Sequence, residues 1–402
     1  MVVLIGGAGA PNLGDELIVR GWLQFLVNDL DYEKDIWLEA TSANAAEFHR
    51  RFENIRHSTL MQTTVAELKK RDFWHMLRVG WTFLDKGGVK RRGEKNFSHL
   101  LNAEIVHLHG GGYMHQSSVK GFYLGFLAAL ARKFGTRLFA TGIGFGPYPK
   151  IPDTMRDLLT EVLSYFQTFE LRDIEGFRLL RGLSRDSHHM VNGLDDIYML
   201  QRGDLVSDPG DGKRRLFLAL FQVSADSYGP DFWEALPNLA SQFDEVVCVE
   251  SVPGRDTSII EKIHDTLPNV RVFPTAESVY LGMPIGPKDF MIASRFHSHF
   301  VGARVGCSGY YLQNTTYYEV KHQSIVDRGS TFAPLPKAQP IEIFRARHSV
   351  MARMDNIYYA QKMELARHLY NVDTATPRKR PRPAKPAVAP AVSAQPAAET
   401  VS

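Results

Sequence analysis

Asp289-Phe290-Met291-Ile292-Ala293-Ser294-Arg295-Phe296-His297 opens the stretch, running on to Lys321, around which this chain is organised. Asp289 to Ala293 has the length and apolar character of a buried strand. Ser294 to His297 turns out of it, and Ser298 to Val305 reads as a helix of small and apolar residues. A second short strand, Tyr310 to Leu312, follows. In an open α/β sheet, ligands sit at the carboxyl end of a strand, where the next helix begins. The free N–H groups of that helix's first turn favour an anion there. Arg295 adds a planar fork suited to phosphate or carboxylate, and His297 a group that holds or gives a proton near neutral pH. The competing reading makes both residues structural.

The same alternation extends outward in both directions. Strands are expected at Val2–Gly6, Ile36–Glu39, Glu104–Leu108, Arg137–Thr141, Phe166–Leu171 and around Val191. Helices are expected at about Asp15–Asn28, Val119–Phe134 and Asp153–Ser164, and the segment from Ala45 to Asn96 reads as mostly helical and polar. Within it, Lys86-Gly87-Gly88-Val89-Lys90-Arg91-Arg92 reads as an exposed basic loop. After the loop-like Gly203–Gly212 the pattern restarts, with strands at Leu216–Leu220, Glu245–Val249 and Val270–Phe273 ahead of the opening stretch. This is the pattern of an α/β protein with two Rossmann-like, doubly wound parallel sheets. The expected division is a first domain over 1–202, a second over 213–335, and a helix within 340–371, spanning Ile341 to Leu369, that crosses back. A disordered, basic, Pro/Ala-rich tail is expected over 373–402.

Bulk composition excludes several classes. With 44% hydrophobic and 23% charged residues, the 402-residue chain reads as an ordinary globular protein large enough for two cores. Two cysteines, Cys248 and Cys307, exclude a disulfide framework and a cysteine-based metal site. The formal charge is +3, but the tail from Pro377 has five basic residues against Glu399, leaving the first 376 residues at −1. A general polyanion-binding surface, and with it a nucleic-acid partner, is not expected. Met1 to Ile5 meets Gly6 with no basic leader, and the apolar helix near Gly121 to Ala131 is too short to span a bilayer. The expected compartment is the cytoplasm, with the basic tail able to touch an anionic membrane at its inner face.

Special groups recur where strands end: the turn at Gly6, His109-Gly110-Gly111-Gly112, Gly142-Ile143-Gly144, Arg172-Asp173 and Arg295-Phe296-His297. Those ends share one edge of a doubly wound sheet, so two facing domains could line one cleft with them. Glycines there let backbone N–H groups approach an oxyanion or a sugar. Two arginines and a histidine suit a small, doubly charged anion. No Asp/Glu/His set has metal-ligand spacing, and His107-x-His109 reads as a core pair or an acceptor contact. Gly7-Ala8-Gly9 with Glu39 ending the second strand also permits a dinucleotide reading, but Asn12 stands where the third glycine belongs.

At this point the chain resembles the polysaccharide pyruvyl transferases. The matching pieces are Gly6 to Glu16, His109-Gly110-Gly111-Gly112, Gly142-Ile143-Gly144-Phe145-Gly146-Pro147, Arg172-Asp173, Asp195-Asp196, Ser294-Arg295-Phe296-His297 and Tyr318 to Lys321, in the family's order. Phe296 stands where the family usually has Leu, and Gly306-Cys307-Ser308 where it tends to Gly-x-Pro; neither departure removes a charged group. The resemblance implies two domains in the glycosyltransferase-B arrangement, with acceptor side first and donor side second. It implies phosphoenolpyruvate as donor, no cofactor, and a hydroxyl pair on a polysaccharide or glycolipid sugar as acceptor. Arg172 and Arg295 would clamp the donor's phosphate and carboxylate, His297 would act as general acid or meet the leaving phosphate, and Lys321 would add a point charge. Asn12 and Asp15 would shape the acceptor side, with Asp15 equally readable as a helix N-cap, and His109 to Gly112 and Gly144 would border the substrates. A nucleotide-sugar-dependent glycosyltransferase or epimerase would share this fold and cleft, and a non-catalytic binding protein is the third class.

Overall fold

The computed structural model describes residues 1–371 apart from 69–71, 148–150, 184–186, 209, 222–227, 314, 337–340 and 346–347. The expectation of a disordered tail over 373–402 lies outside the described residues. The first sheet contains β1 (Val2–Ile5), β2 (Ile36–Glu39), β3 (Ile55–Ser58), β4 (Ile105–Leu108), β5 (Gly111–Met114), β6 (Arg137–Phe145), β7 (Phe166–Leu171) and β8 (Met190–Asn192). They lie in the order β3-β2-β1-β4-β6-β7-β8, with β5 on β6, and every pairing is parallel. The second sheet, also parallel, orders β9 (Arg215–Ala219), β10 (Glu245–Val249), β11 (Val270–Phe273), β12 (Phe290–Ala293), β13 (Ser308–Tyr311) and β14 (Ala333–Pro334) as β11-β10-β9-β12-β13-β14.

Both central strands are apolar throughout because both of their faces are covered. In β1, Val3 and Ile5 join one core and Val2 and Leu4 the other. In β12, Met291 and Ala293 divide from Phe290 and Ile292 in the same way. Strand order reverses between β1 and β4 in one sheet and between β9 and β12 in the other. The carboxyl ends of such strand pairs are the crevices of doubly wound sheets. Here they are followed by Gly6, His109 and Ser294-Arg295.

Several local expectations change. β3, β5 and β14 add to the expected strands: β3 carries Arg56 and His57 and interrupts the stretch read as mostly helical, β5 opens on two glycines, and β14 is two residues long, so none has the apolar run that marks a buried strand. The basic run is not a simple exposed loop. Gly88–Arg92 forms a helical turn, Val89 is buried, and Arg92 Nε bonds Glu67 at 3.0 Å. The boundary segment is also more structured than its composition suggests. Arg202–Leu205 is a helical turn, and Ser207 N–H donates to the Met283 carbonyl at 2.9 Å.

The last helix is shorter than expected. It begins at Val350, capped by the Ser349 hydroxyl, rather than at Ile341, because residues 341–345 are non-helical. It bridges the two halves: Met351 packs in the second sheet's core, while Met363, Ala366 and Leu369 pack on the first. No helix among the described residues is long and apolar enough to cross a membrane.

Candidate active site

The helix Leu13–Gln24 starts at the carboxyl end of β1, where Asn12 Oδ1 accepts the Gly14 N–H at 3.1 Å. Asn12 is therefore the N-cap, and Asp15, two residues into the helix, is not. Leu13 N–H donates to the Ser251 carbonyl at 2.8 Å, so this helix start also touches the second sheet's side. A Cβ on Gly14 would lie 1.6 Å from His297 Nδ1. Only glycine lets the histidine, in the first turn of helix Phe296–Val305, come so close to the first sheet's side.

Three side chains converge from the other strand ends. Arg172, after β7, is buried, donates from Nη1 to Asp195 Oδ2 at 2.5 Å, and stacks over Phe296 with 4.4 Å to the ring centre. His297 Nε2 lies 3.8 Å from the same Asp195 oxygen. Burial opposes the Asp195 charge, but Arg172 and then His297 outweigh it and hold the carboxyl well below its usual range. Lys321 enters from helix Thr316–Val326 with Nζ 4.0 Å from the Tyr317 ring centre. A Cβ on Gly112 would lie 2.3 Å from Lys321 Cε, so this glycine makes room for the ammonium. Burial, then the Arg172 guanidinium, pushes Lys321 down to about 7 against the pull of Asp15 and Asp195.

Arg295 is the N-cap residue of helix Phe296–Val305, pairs with Asp256, and lies over Phe221 at 4.1 Å. Asp256 is itself fixed by the N–H groups of Ser251 and Val252, at 2.9 and 2.8 Å. Gly112, Gly144, Arg172, Tyr317 and Lys321 line a cleft of about 280 Å³, open solvent included. Among the described residues, Arg172 Nη2, Arg295 Nε and His297 Nε2 are buried and have no hydrogen-bond partner.

Other expected groups stand behind this cleft instead of lining it. His109 is fully buried with its ring against Gly6, and burial pushes it down to about 4. The Gly110 N–H is already given to Asp196 Oδ2 at 2.7 Å, so it cannot meet a ligand. Gly111 pairs within the first sheet. These three shape the wall, because each faces a partner inside the domain. His107 is a core residue, bonded to the Tyr370 hydroxyl at 2.9 Å and to Thr141 at 2.8 Å. Glu39 bonds His99 at 2.5 Å and the Met61 N–H at 3.0 Å, which removes it as a ribose-binding acid.

Sequence reasoning gave no role to Asp195, Asp256 or Tyr317, although Asp195 stood in one of the quoted motifs. Nothing local marks Asp256 or Tyr317, whose hydroxyl donates to the Gly112 carbonyl across the two halves. No group of three or more His, Cys, Asp or Glu among the described residues is placed to hold a metal ion.

With this geometry in view, the family model for polysaccharide pyruvyl transferase matches residues 12–314. The chain belongs to that family. The match runs from Asn12 across both sheets and includes Asp15, Arg172, Asp195, Arg295 and His297. Among curated proteins, none matches the chain in sequence. Among solved structures, the S. aureus MnaA–UDP complex is similar at 12% identity and TM-score 0.52, covering 94% of this chain and 98% of that one. UDP-GlcNAc 2-epimerase from Neisseria meningitidis, bound to UDP-GlcNAc, is 12% identical with TM-score 0.46, over 92% and 94% of the chains. Anabaena HepE in complex with UDP and glucose is 8% identical with TM-score 0.46, over 92% and 96%. At 12% identity the likeness to the first of these is one of fold, and the chain's two parallel sheets are those of two Rossmann-like domains in a glycosyltransferase-B-like arrangement.

Proposed function

We propose that this polysaccharide pyruvyl transferase moves the pyruvate unit of phosphoenolpyruvate onto two hydroxyls of a polysaccharide or glycolipid sugar, forming a pyruvate ketal and releasing phosphate. The observation that carries the reading is a set of buried donors without partners among the described residues, Arg172 Nη2, Arg295 Nε and His297 Nε2, with Arg172 and Lys321 lining the cleft and His297 3.8 Å from the aspartate that Arg172 pairs with. A buried cation with a free donor is costly without an anion to receive it. Phosphoenolpyruvate offers two anionic groups, a phosphate and a carboxylate, on one small frame.

In this reading Arg172 and Arg295 hold those two groups through charge-assisted hydrogen bonds, and Lys321 adds charge beside them. His297 gives the proton that turns the methylene carbon into a methyl group, leaving an oxocarbenium-like centre at C2. One sugar hydroxyl adds there, phosphate leaves with the C2–O electron pair, and the second hydroxyl closes the ketal. Of the two hydroxyl protons, one replaces the proton that went to carbon and the other leaves with phosphate. No cofactor is called for. The second domain, carrying Arg295, His297 and Lys321, is the donor side and the first the acceptor side.

Phosphate release from phosphoenolpyruvate with a panel of saccharides tests the reading. His297→Ala should cut kcat on the order of 10²–10⁴-fold while part of the donor binding survives. Arg295→Lys keeps the charge and loses the fork, so donor KM should rise. A stable His297→Ala protein with near-wild-type turnover would remove His297 from the chemistry. UDP binding without phosphoenolpyruvate binding would favour a nucleotide-sugar enzyme, the alternative that shares this fold.

A further inference from the structure

We infer that Asp15 is the catalytic base that takes the proton from the attacking acceptor hydroxyl, an inference that rests on the transfer proposed above. Two consecutive acids open the helix Leu13–Gln24, and they are used differently. Glu16 is fully buried and satisfied, accepting the Gly9 N–H at 2.7 Å and meeting His49 Nε2 at 2.7 Å. Asp15 is partly buried and, among the described residues, has neither a hydrogen bond nor an ion pair. It does not cap the helix, because Asn12 does.

Its position is nevertheless fixed. The carboxyl lies over the turn after β1, where a Cβ on Gly7 would come within 2.5 Å of Asp15 Cγ. His297, Lys321 and Arg172 from the donor cluster, and Lys120 from the acceptor side, all act on its charge. Lys120 is itself engaged by Gln62 at 3.1 Å and the Tyr123 hydroxyl at 2.8 Å, which leaves Asp15 without a dedicated counter-ion. Asp15 follows Gly14, whose Cβ would lie 1.6 Å from His297 Nδ1, so its carboxylate stands beside the donor cluster and is paired with none of it. Burial lifts its carboxyl above the usual range against the pull of those four cations. A raised proton affinity suits a base that must work near neutral pH.

In the addition step, the hydroxyl oxygen forms the bond to C2 with a lone pair, and its proton passes to an Asp15 carboxylate oxygen. The C2–C3 π pair takes its proton from His297. Asp15 passes the first proton to the departing phosphate, is again charged when the second hydroxyl adds and takes its proton, and that second proton replaces the one His297 gave to carbon.

The test uses the full chain, phosphoenolpyruvate and a panel of methyl hexopyranosides as soluble acceptors. Asp15→Asn keeps the shape, so Tm should hold. Phosphate release should fall on the order of 10²–10⁴-fold. Calorimetric phosphoenolpyruvate affinity should stay the same or tighten, since a negative charge beside a dianion is removed. Asp15→Glu should recover part of the rate. An Asp15→Asn enzyme with near-wild-type turnover overturns the inference, as does a loss of rate fully explained by lost donor binding. A wild-type protein that releases no phosphate from phosphoenolpyruvate with any acceptor overturns the transfer itself, and this role with it.

Discussion

Asp195 turns its carboxylate toward the cleft, against Arg172 and 3.8 Å from His297, whereas Asp196 turns away into the first domain. Asp196 Oδ2 accepts hydrogen bonds from Trp22 Nε1 at 2.9 Å, the Gly110 N–H at 2.7 Å and Thr141 at 2.8 Å, and Lys362 lies 2.5 Å from Oδ1. Lys362 also pairs with Glu170, which accepts the N–H groups of Gly142 and Leu194 at 3.1 and 2.8 Å. Burial holds Glu170 above its usual range despite Lys362, while Lys362 ahead of His107 keeps Asp196 charged in spite of burial. The inner cluster is closed: its charges answer one another and fasten the last helix to the first sheet. The outer cluster leaves donors unanswered. Both are buried and ionic, so burial and charge alone do not separate them; donors left without an acceptor beside an open cleft do.

The largest expected effect lies in the inner cluster. Lys362→Met leaves two buried carboxyls without their cation and should cost about 3–5 kcal/mol of unfolding free energy. Glu170→Gln added to it should return part of that loss, because a carboxylate no longer has to stay buried uncompensated. Denaturant unfolding reads both, and a Lys362→Met protein of wild-type stability would erase the structural role given to this cluster.

A smaller effect is expected at Asp195, and on turnover more than on the fold. Asp195→Asn loses charge-assisted bonds to Arg172 and the nearby charge that steadies His297, so kcat/KM should fall roughly 10- to 100-fold. Equal losses of Tm for Asp195→Asn and Asp196→Asn, without a kinetic difference, would show that the two aspartates share one job.

The mildest effect concerns pH. Lys321 is pushed down to about 7, so it is charged below that value and loses its charge as pH rises through it. Its contribution to phosphoenolpyruvate binding should therefore be present at pH 6 and fade above about 7, with affinity falling by at most about tenfold per pH unit. Lys321→Met should flatten that component. A wild-type affinity whose pH profile matches that of Lys321→Met would place the ammonium outside the donor site.

Much of the fold was legible because β1, β4, β9, β10 and β12 are short, largely apolar runs bounded by turn residues, and both faces of each sheet are covered. β3, with Arg56 and His57 among its four residues, and the two-residue β14 carry no such signal. They exist because neighbouring strands offer an edge. Of the candidate site, Arg172, Arg295, His297 and Lys321 could be singled out, since strand ends in such sheets collect ligand-binding groups. His109 and Gly110 could not be told apart from them. Whether a strand-end residue faces the cleft or the core depends on partners such as Asp196, 86 residues from Gly110.

The sequence by itself determined the alternation of strands and helices, the restart after Gly212 and the set of polar residues at strand ends, because those follow from local period and composition. Only the tertiary structure decided which acids are spent. Asp256 meets Arg295 across 39 residues, Lys362 meets Glu170 across 192, and Tyr317 meets Gly112 across 205. Pairings of that reach are set by how two sheets and a bridging helix pack, a property that no local pattern encodes. Asp15 and Glu16 carry the point to its limit: adjacent acids in one helical turn, one closed off by His49 and the Gly9 N–H, the other left open beside the cations of the cleft.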